Sequence, residues 1–292
     1  MKKIPRAALL LLGLGLILFG VFVFLYPLVS SYQAQQNQAH VVDSYEAAMV
    51  EVEDQTLTAL RQQAQDYNAS LAGDPVRDPF VPGSGYALPE NYPEMLNPNG
   101  DGIMGYLEIP KIGVRLPIGH GTGEEVLEKN VGHIESTALP IGGPGTHAVL
   151  TGHRGLPSAE LLTRLDEVET GDLFYLRVLD QVLAYRVEQI TTVLPYELEQ
   201  LQAEPGRDLV TVLTCTPYGI NTHRLLVRGE RTEYVEEERQ GIAAQGLSFA
   251  GLNTRRLIQG TVLGFALLVV LLAGFGIFTL VRRHKKQGRY SR

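Results

Sequence analysis

Cysteine occurs once among the 292 residues, at Cys215. One thiol cannot close an intramolecular disulfide, and a lone cysteine with seven scattered histidines gives no paired ligand spacing for zinc. The thiol is therefore either buried and inert or a reagent. Charge is missing from two stretches, Ala7 to Val29 and Thr261 to Val281. Each matches the ~20 residues that an α-helix needs to cross a ~30 Å hydrocarbon core. The first run exceeds the roughly 7–15 apolar residues of a cleaved signal peptide, and no strong small-residue cleavage site follows, so it reads as an anchor. No internal repeat is visible.

Lys2, Lys3 and Arg6 precede the first apolar run, and Arg282, Arg283, Lys285, Lys286, Arg289 and Arg292 follow the second, against only Arg255 and Arg256 on its other side. Positive-inside bias predicts both termini in the cytoplasm and the middle outside. The formal net charge of −7 includes those basic ends, so the external part is more acidic still, which sets nucleic acid aside as a partner. Residues 30–72 lack proline and internal glycine and are rich in Ala, Gln, Glu and Leu, which predicts a helical arm. Its apolar residues Val42, Tyr45, Ala48, Met49, Val52, Leu57 and Leu60 recur at mostly three- and four-residue steps, as for a helix packed along a domain face.

Between Gly73 and Gly100, "GDPVRDPFVPGSGYALPENYPEMLNPNG" excludes helix interior and ladder strand alike. A loop of that length is functional or disordered. From Ile103 to Glu230 β-branched and aromatic runs bounded by Gly, Pro, Asp or Asn predict an antiparallel barrel or sandwich, with short helices near Gly123–Asn130 and Ser158–Leu165. "NPNGDGIMGYLE", Asn97 to Glu108, nearly fits a calcium-loop spacing, but it lacks flanking helices and reads as a turn into the first strand. The Asn68-Ala69-Ser70 triplet reads as a helix end.

In "DLVTVLTC", alternation puts Leu209, Thr211, Leu213 and Cys215 on one strand face, and the turn chemistry of "TPYGIN" follows. The thiol thus sits where a strand opens into a loop short enough to return His223 and Arg224 beside it. Cationic neighbours lower a thiol's pKa, and a nucleophile also needs a base and an oxyanion partner. His120, His133, His147, His153 and His223 all compete for the role of base. His153, with glycine close on either side in "AVLTGHRG", has room for a substrate, while His147 on the same strand reads as structural; residue chemistry alone leaves the base open.

These residues resemble the sortases, cysteine transpeptidases of Gram-positive cell surfaces. The TLxTC signature of that family matches Thr211, the variable Leu213, Thr214 and Cys215, with Val212 in place of the usual leucine. Its arginine, nine residues after the cysteine, falls on Arg224, and its histidine, in a TGHR context, on His153; the likeness runs from about Gly105 to Gly229. "CTPYGINTHRLLVRG", the second apolar run and "RDPF" resemble class C, the pilus-assembling sortases, whose Asp-Pro-aromatic loop covers the active site; here that motif is Asp78, Pro79 and Phe80.

The resemblance implies a mostly β fold: a closed antiparallel sortase-like β-barrel with short helices, preceded by the arm and flanked by two transmembrane helices. Expected boundaries are 1–6 cytoplasmic, 7–29 transmembrane, 30–72 arm, 73–100 lid loop, 101–237 catalytic barrel, 238–260 linker, 261–281 transmembrane and 282–292 basic tail. It implies catalytic His153, Cys215 and Arg224, with Thr214 in support and Arg228, on the same strand face as Arg224, as competitor for the cationic role. It further implies no cofactor or metal, an LPxTG-like sorting signal cut at Thr-Gly through a thioester, and an amine acceptor, most simply a pilin lysine. The alternatives are a housekeeping sortase that attaches proteins to peptidoglycan, a surface cysteine hydrolase, and a non-catalytic tethered binding module. "LPIGG" at Leu139 to Gly143 lies mid-domain and is not itself a sorting signal.

Overall fold

A computed structural model of the chain describes residues 6–71, 76, 78, 80–81 and 90–242. The expected second span (261–281), the basic tail, most of the expected linker and Pro79 lie outside the described residues. Helix α1, Arg6–Glu51, runs without interruption from the first apolar run into the arm. Its most apolar window has mean hydropathy 2.2, and it is long and apolar enough to cross a membrane. The arm is two helices rather than one: α1 ends at Glu51, and α2 spans Asp54–Ser70 after an extended Glu53. No proline or glycine marks the break, so its cause is tertiary. Met49 and Val52 before it, and Leu57, Ala64 and Tyr67 after it, all pack on the barrel core.

Eight strands close the barrel: β1 Ile103–Ile109, β2 Val114–Gly119, β3 Val131–His133, β4 Thr146–Thr151, β5 Leu173–Val178, β6 Gln181–Val193, β7 Asp208–Thr216 and β8 His223–Thr232. Their order around the wall is β1-β2-β3-β4-β7-β8-β6-β5. The sequence predicts an antiparallel barrel, and the structure corrects this to a mixed one, because β2–β3 and β4–β7 are parallel pairs. Period-two alternation reports which face a side chain takes and says nothing of strand direction; parallel neighbours require long crossovers, and everything from Gly152 to Arg207 separates β4 from β7. Helix α3, Glu124–Leu127, is found where a short helix was expected, whereas the region 158–165 forms turns that end in a 3-10 turn at Leu165–Glu167. The calcium-like stretch is a turn: Asn97 Oδ1 accepts from Gly102 N at 3.0 Å and Asp101 Oδ1 from Ile103 N at 3.1 Å, leading into β1. Asn68 clamps Leu139, accepting from its N at 2.6 Å and donating to its O at 3.2 Å.

Alternation along three neighbouring strands builds two apolar layers. Ala148 and Leu150 of β4, Val210 and Val212 of β7, and Leu225 and Val227 of β8 enter the main core. Val149, Leu213 and Leu226 instead join Ile134, Val193, Leu198 and Leu201 in a second cluster. The β6–β7 connection, with a 3-10 turn at Glu199–Leu201, contributes Leu198 and Leu201 to that cluster. The Cys215 face of β7 belongs to this second layer, so the thiol is covered by loops rather than enclosed by the barrel.

Candidate active site

Cys215 lies one residue before the end of β7, directly opposite Arg224 of β8 in the antiparallel register. Directly opposed residues hold their Cβ atoms about 4.5–5.5 Å apart, so the return of the chain brings a guanidinium to the thiol. His223 pairs with Thr216 and falls on the alternate face, its Nδ1 2.9 Å from Thr222 Oγ1. The parallel β4–β7 register ends at Thr151↔Leu213. Continued two residues, it carries His153 alongside Cys215. Three contacts hold that continuation: Gly152 N donates to Leu213 O at 3.2 Å, Thr214 Oγ1 donates to Gly152 O at 2.7 Å, and Thr151 Oγ1 donates to Leu213 O at 3.3 Å. Thr214 thus pins the segment that bears His153 to the end of β7.

Arg154, next to His153, was missed in the sequence. Its guanidinium donates to Thr163 O at 3.2 Å, to Thr216 Oγ1 at 3.0 Å and to Asp166 Oδ2 at 2.5 Å, tying the His153 loop to the end of β7. The only signal available was an arginine beside a glycine-flanked histidine. Gly155 follows at φ +83, and a Cβ there would sit 3.0 Å from the Tyr218 ring, so glycine is needed on both counts.

Two described residues of the Pro-rich loop, Asp78 and Phe80, lie against this group. Asp78 Oδ2 meets Arg224 Nε at 2.5 Å, and the pair is nearly dry, with side chains 2% and 5% exposed. Asp78 Oδ1 accepts from Phe80 N at 2.7 Å and Asp78 O accepts from Val81 N at 3.2 Å, which makes a tight turn. That turn sets the Phe80 ring centroid 5.4 Å from the His153 ring and 5.3 Å from the Arg224 guanidinium carbon. Phe80 and Val76 pack against the second apolar cluster. Arg224 Nη1 donates to Asn221 O and His223 O, each at 3.1 Å, so its fork is aimed before any ligand arrives.

Burial pushes the Cys215 thiol above its ordinary pKa; the Arg224 charge opposes this and Asp78 adds to it. Burial likewise lowers His153, against the carboxylates of Glu128 and Glu124. Both shifts favour the uncharged forms of the two groups in this arrangement.

The remaining histidines have other partners. His133 Nδ1 is 2.8 Å from Tyr92 Oη and its Nε2 is 2.9 Å from Ala138 O; His147 lies 3.0 Å from Gln202 O and 2.8 Å from Thr211 Oγ1. Burial lowers both to about 4. His120 sits between Gly102 O at 2.9 Å and Met95 O at 2.5 Å. Arg228 pairs across the ladder with Thr211, four residues from the thiol, and is held by Glu188 at 2.7 Å and Glu204 at 2.8 Å. It is committed to a carboxylate network and leaves Arg224 as the cation at Cys215.

The closed eight-stranded barrel, with cysteine and arginine opposed at the ends of β7 and β8, is the architecture of a sortase domain, and the family profile named Sortase domain matches residues 107–232. The structure is similar to Streptococcus pneumoniae sortase C (TM-score 0.62, 44% identity, 67% of this chain and 97% of that one). It is also similar to Actinomyces oris sortase C-1 (TM-score 0.58, 44% identity, 61% and 99%). Among curated proteins, sortase A of Streptococcus agalactiae is 28% identical over 131 residues, 44% of this chain and 52% of that protein. The match to sortase A therefore spans about half of that relative's length. The chain belongs to the sortase family, and class C, pilus-related sortases are among its solved neighbours.

Proposed function

We propose that this chain is a membrane-anchored cysteine transpeptidase that assembles pili. The observation that carries the reading is the convergence of His153, Cys215 and Arg224 under a loop whose Asp78 and Phe80 touch Arg224 and His153. Once the lid lifts, water and the freed Arg224 charge favour the Cys215 thiolate, with His153 as acceptor of the proton. The thiolate attacks the Thr-Gly carbonyl of an LPxTG-like signal, and Arg224 stabilises the oxyanion. His153 returns the proton to the departing glycine amine, leaving a thioester on Cys215. An amine, here a pilin lysine, then attacks the thioester, gives its proton to His153, and releases the thiolate with an amide formed.

Transfer rather than hydrolysis requires that water be kept from the thioester, which gives the lid and the apolar second layer a chemical purpose. The Streptococcus pneumoniae sortase C has pilin substrates, and its 44% identity over 97% of its length favours the same substrate class here over attachment to peptidoglycan. The proposed topology has both termini cytoplasmic, two spans and the barrel outside.

Intact mass of the full chain in detergent, with an LPxTG-type peptide and with or without an amine, tests the reading. An acyl adduct that needs Cys215 and disappears into an amide when the amine is added is the expected result. An adduct released only as free acid would identify a hydrolase. Full function in Cys215→Ala would overturn the catalytic reading.

A further inference from the structure

α1 continues as one helix past the end of its apolar run, and its later turns are bolted to the barrel. Val42 and Tyr45 are 0% and 1% exposed in a cluster with Ile103 and Tyr106 of β1. Tyr45 Oη donates to Met104 O at 3.0 Å and accepts from Leu179 N at 2.8 Å, while Arg115 of β2 pairs with Asp43 at 2.9 Å and Glu46 at 3.1 Å. Down the helix toward the apolar run, Gln38 Nε2 donates to Lys129 O at 2.8 Å and Gln35 Nε2 to Glu160 Oε2 at 3.1 Å. Among the described residues, the hydrogen bond to the barrel nearest the apolar run is at Ser30, whose Oγ donates to Pro157 O at 3.0 Å.

Ser30 directly follows Val29, where the apolar run ends. Within that run Phe19 and Phe22 are each 65% exposed and Val29 62%, an unpaired apolar surface suited to lipid tails. Tyr26 and Tyr32, also exposed, flank its end as residues of an interfacial aromatic belt do. At ~1.5 Å rise per residue, Gln38 stands about 12 Å, Tyr45 about 22 Å and Val50 about 30 Å beyond Ser30 along the helix. The barrel therefore extends along the helix away from the membrane, and its 156–158 turn lies level with the boundary.

We infer that this turn is seated among the lipid headgroups, and that the continuous α1 holds the barrel there at fixed height and orientation. The partner is the bilayer interface. His153 is four residues before Pro157 in the same connection. The placement does not depend on the catalytic reading. It is not electrostatic adsorption: Glu124 and Glu125 of α3, with Glu128 after it, lie next to the Lys129 contact and repel an anionic surface, so the rigid helix must do the holding.

The test uses the full chain in vesicles of phosphatidylcholine and phosphatidylglycerol that carry a headgroup nitroxide. In a Cys215→Ala background, bimane is placed at Ser158→Cys, at Pro157→Cys as a second reporter of the same turn, and at Val50→Cys, 87% exposed and high on the helix. Strong quenching at 157 and 158, weak quenching at 50 and no effect of added salt are expected. Equal quenching at the turn and at Val50 overturns the placement. A short Gly-Ser insert between Tyr32 and Gln33 should abolish the quenching of the turn. Quenching that survives the insert, or is released by salt, would show adsorption through the barrel's own surface and overturn the helix-held arrangement.

Discussion

Removing the lid's two contacts in an Asp78→Ala/Phe80→Ala variant should unmask the thiol, by an amount the closed structure sets. The Asp78–Arg224 pair at 2.5 Å is buried on both sides. Because both ions had to leave water, its net contribution is that of a hydrogen bond to a charged group, about 1.5–3 kcal/mol, far less than the bare attraction. Phe80 against the desolvated guanidinium adds about 1–2 kcal/mol. Ordering the loop offsets part of this, leaving the closed state favoured by about 2–4 kcal/mol. At 1.4 kcal/mol per tenfold, between one molecule in ~30 and one in ~1,000 is open at rest. A reagent that reaches Cys215 only in the open state reacts in proportion to that fraction, so the double variant should be alkylated by iodoacetamide about 30- to 1,000-fold faster. A second effect runs in the same direction. Asp78 raises the thiol pKa and so does exclusion of water, hence their removal lowers it and moves the alkylation–pH curve to lower pH. Asp78→Asn, which keeps the shape and drops the charge, should move the curve with less gain in access. An alkylation rate within about twofold of the native protein, at an unmoved midpoint, would refute the gate.

Arg224→Lys keeps the charge but loses the planar fork aimed by Asn221 O and His223 O, so peptide-to-amine transfer should fall about 100-fold. Arg228→Lys, working within its Glu188 and Glu204 network, should leave transfer nearly intact and lower thermal stability instead. Arg154→Ala should reduce kcat about tenfold or more with little change in KM, because the His153 loop loses its tie to Thr216, while Arg154→Lys recovers part of the loss. His133 and His147, lowered to about 4 from an ordinary 6.5, bind protons in the unfolded chain that they refuse when folded. Their contribution is thus complete above pH ~6.5 and lost as pH falls toward ~4, by up to about 3 kcal/mol each. Urea unfolding at neutral and mildly acidic pH reads this loss, and His147→Gln should flatten the dependence.

What the sequence made legible was local. The return of Arg224 to Cys215 followed from a strand, a short turn and a second strand, all within ten residues, and the ladder pairs those two residues directly. His153 was different. Five histidines were available, and what sets His153 near the end of β7 is a parallel pairing of Thr151 with Leu213, a register that no periodicity encodes. Only the family resemblance singled it out beforehand. Arg154 stayed hidden for the same reason, since its partners at Thr163, Asp166 and Thr216 meet it only through tertiary structure. The three-residue β3 is too short to leave a strand signal, and the break between α1 and α2 has no breaker residue to announce it. The Asp78 contact was half legible: composition flagged its loop, but the partner of Asp78 lies 146 residues away.

The closed site also constrains how a substrate must arrive. On the proposed reading, the sorting signal and the lid compete for the same two features, Arg224 and the second apolar cluster that now receives Phe80 and Val76. A neutral substrate carbonyl is a weaker partner for Arg224 than the Asp78 carboxylate, so exchanging one for the other is unfavourable in the ground state. The balance reverses as the thiolate attacks and the carbonyl oxygen gains charge, which concentrates the stabilisation by Arg224 in the transition state, where it accelerates reaction. If the lid acts only by occupancy, its removal must lower KM for the peptide by the same factor that it raises the alkylation rate, and leave kcat unchanged. A rise in kcat at constant KM in the Asp78→Ala/Phe80→Ala variant would contradict competition. It would place the lid's effect in the chemical step, through the charge it sets beside Cys215.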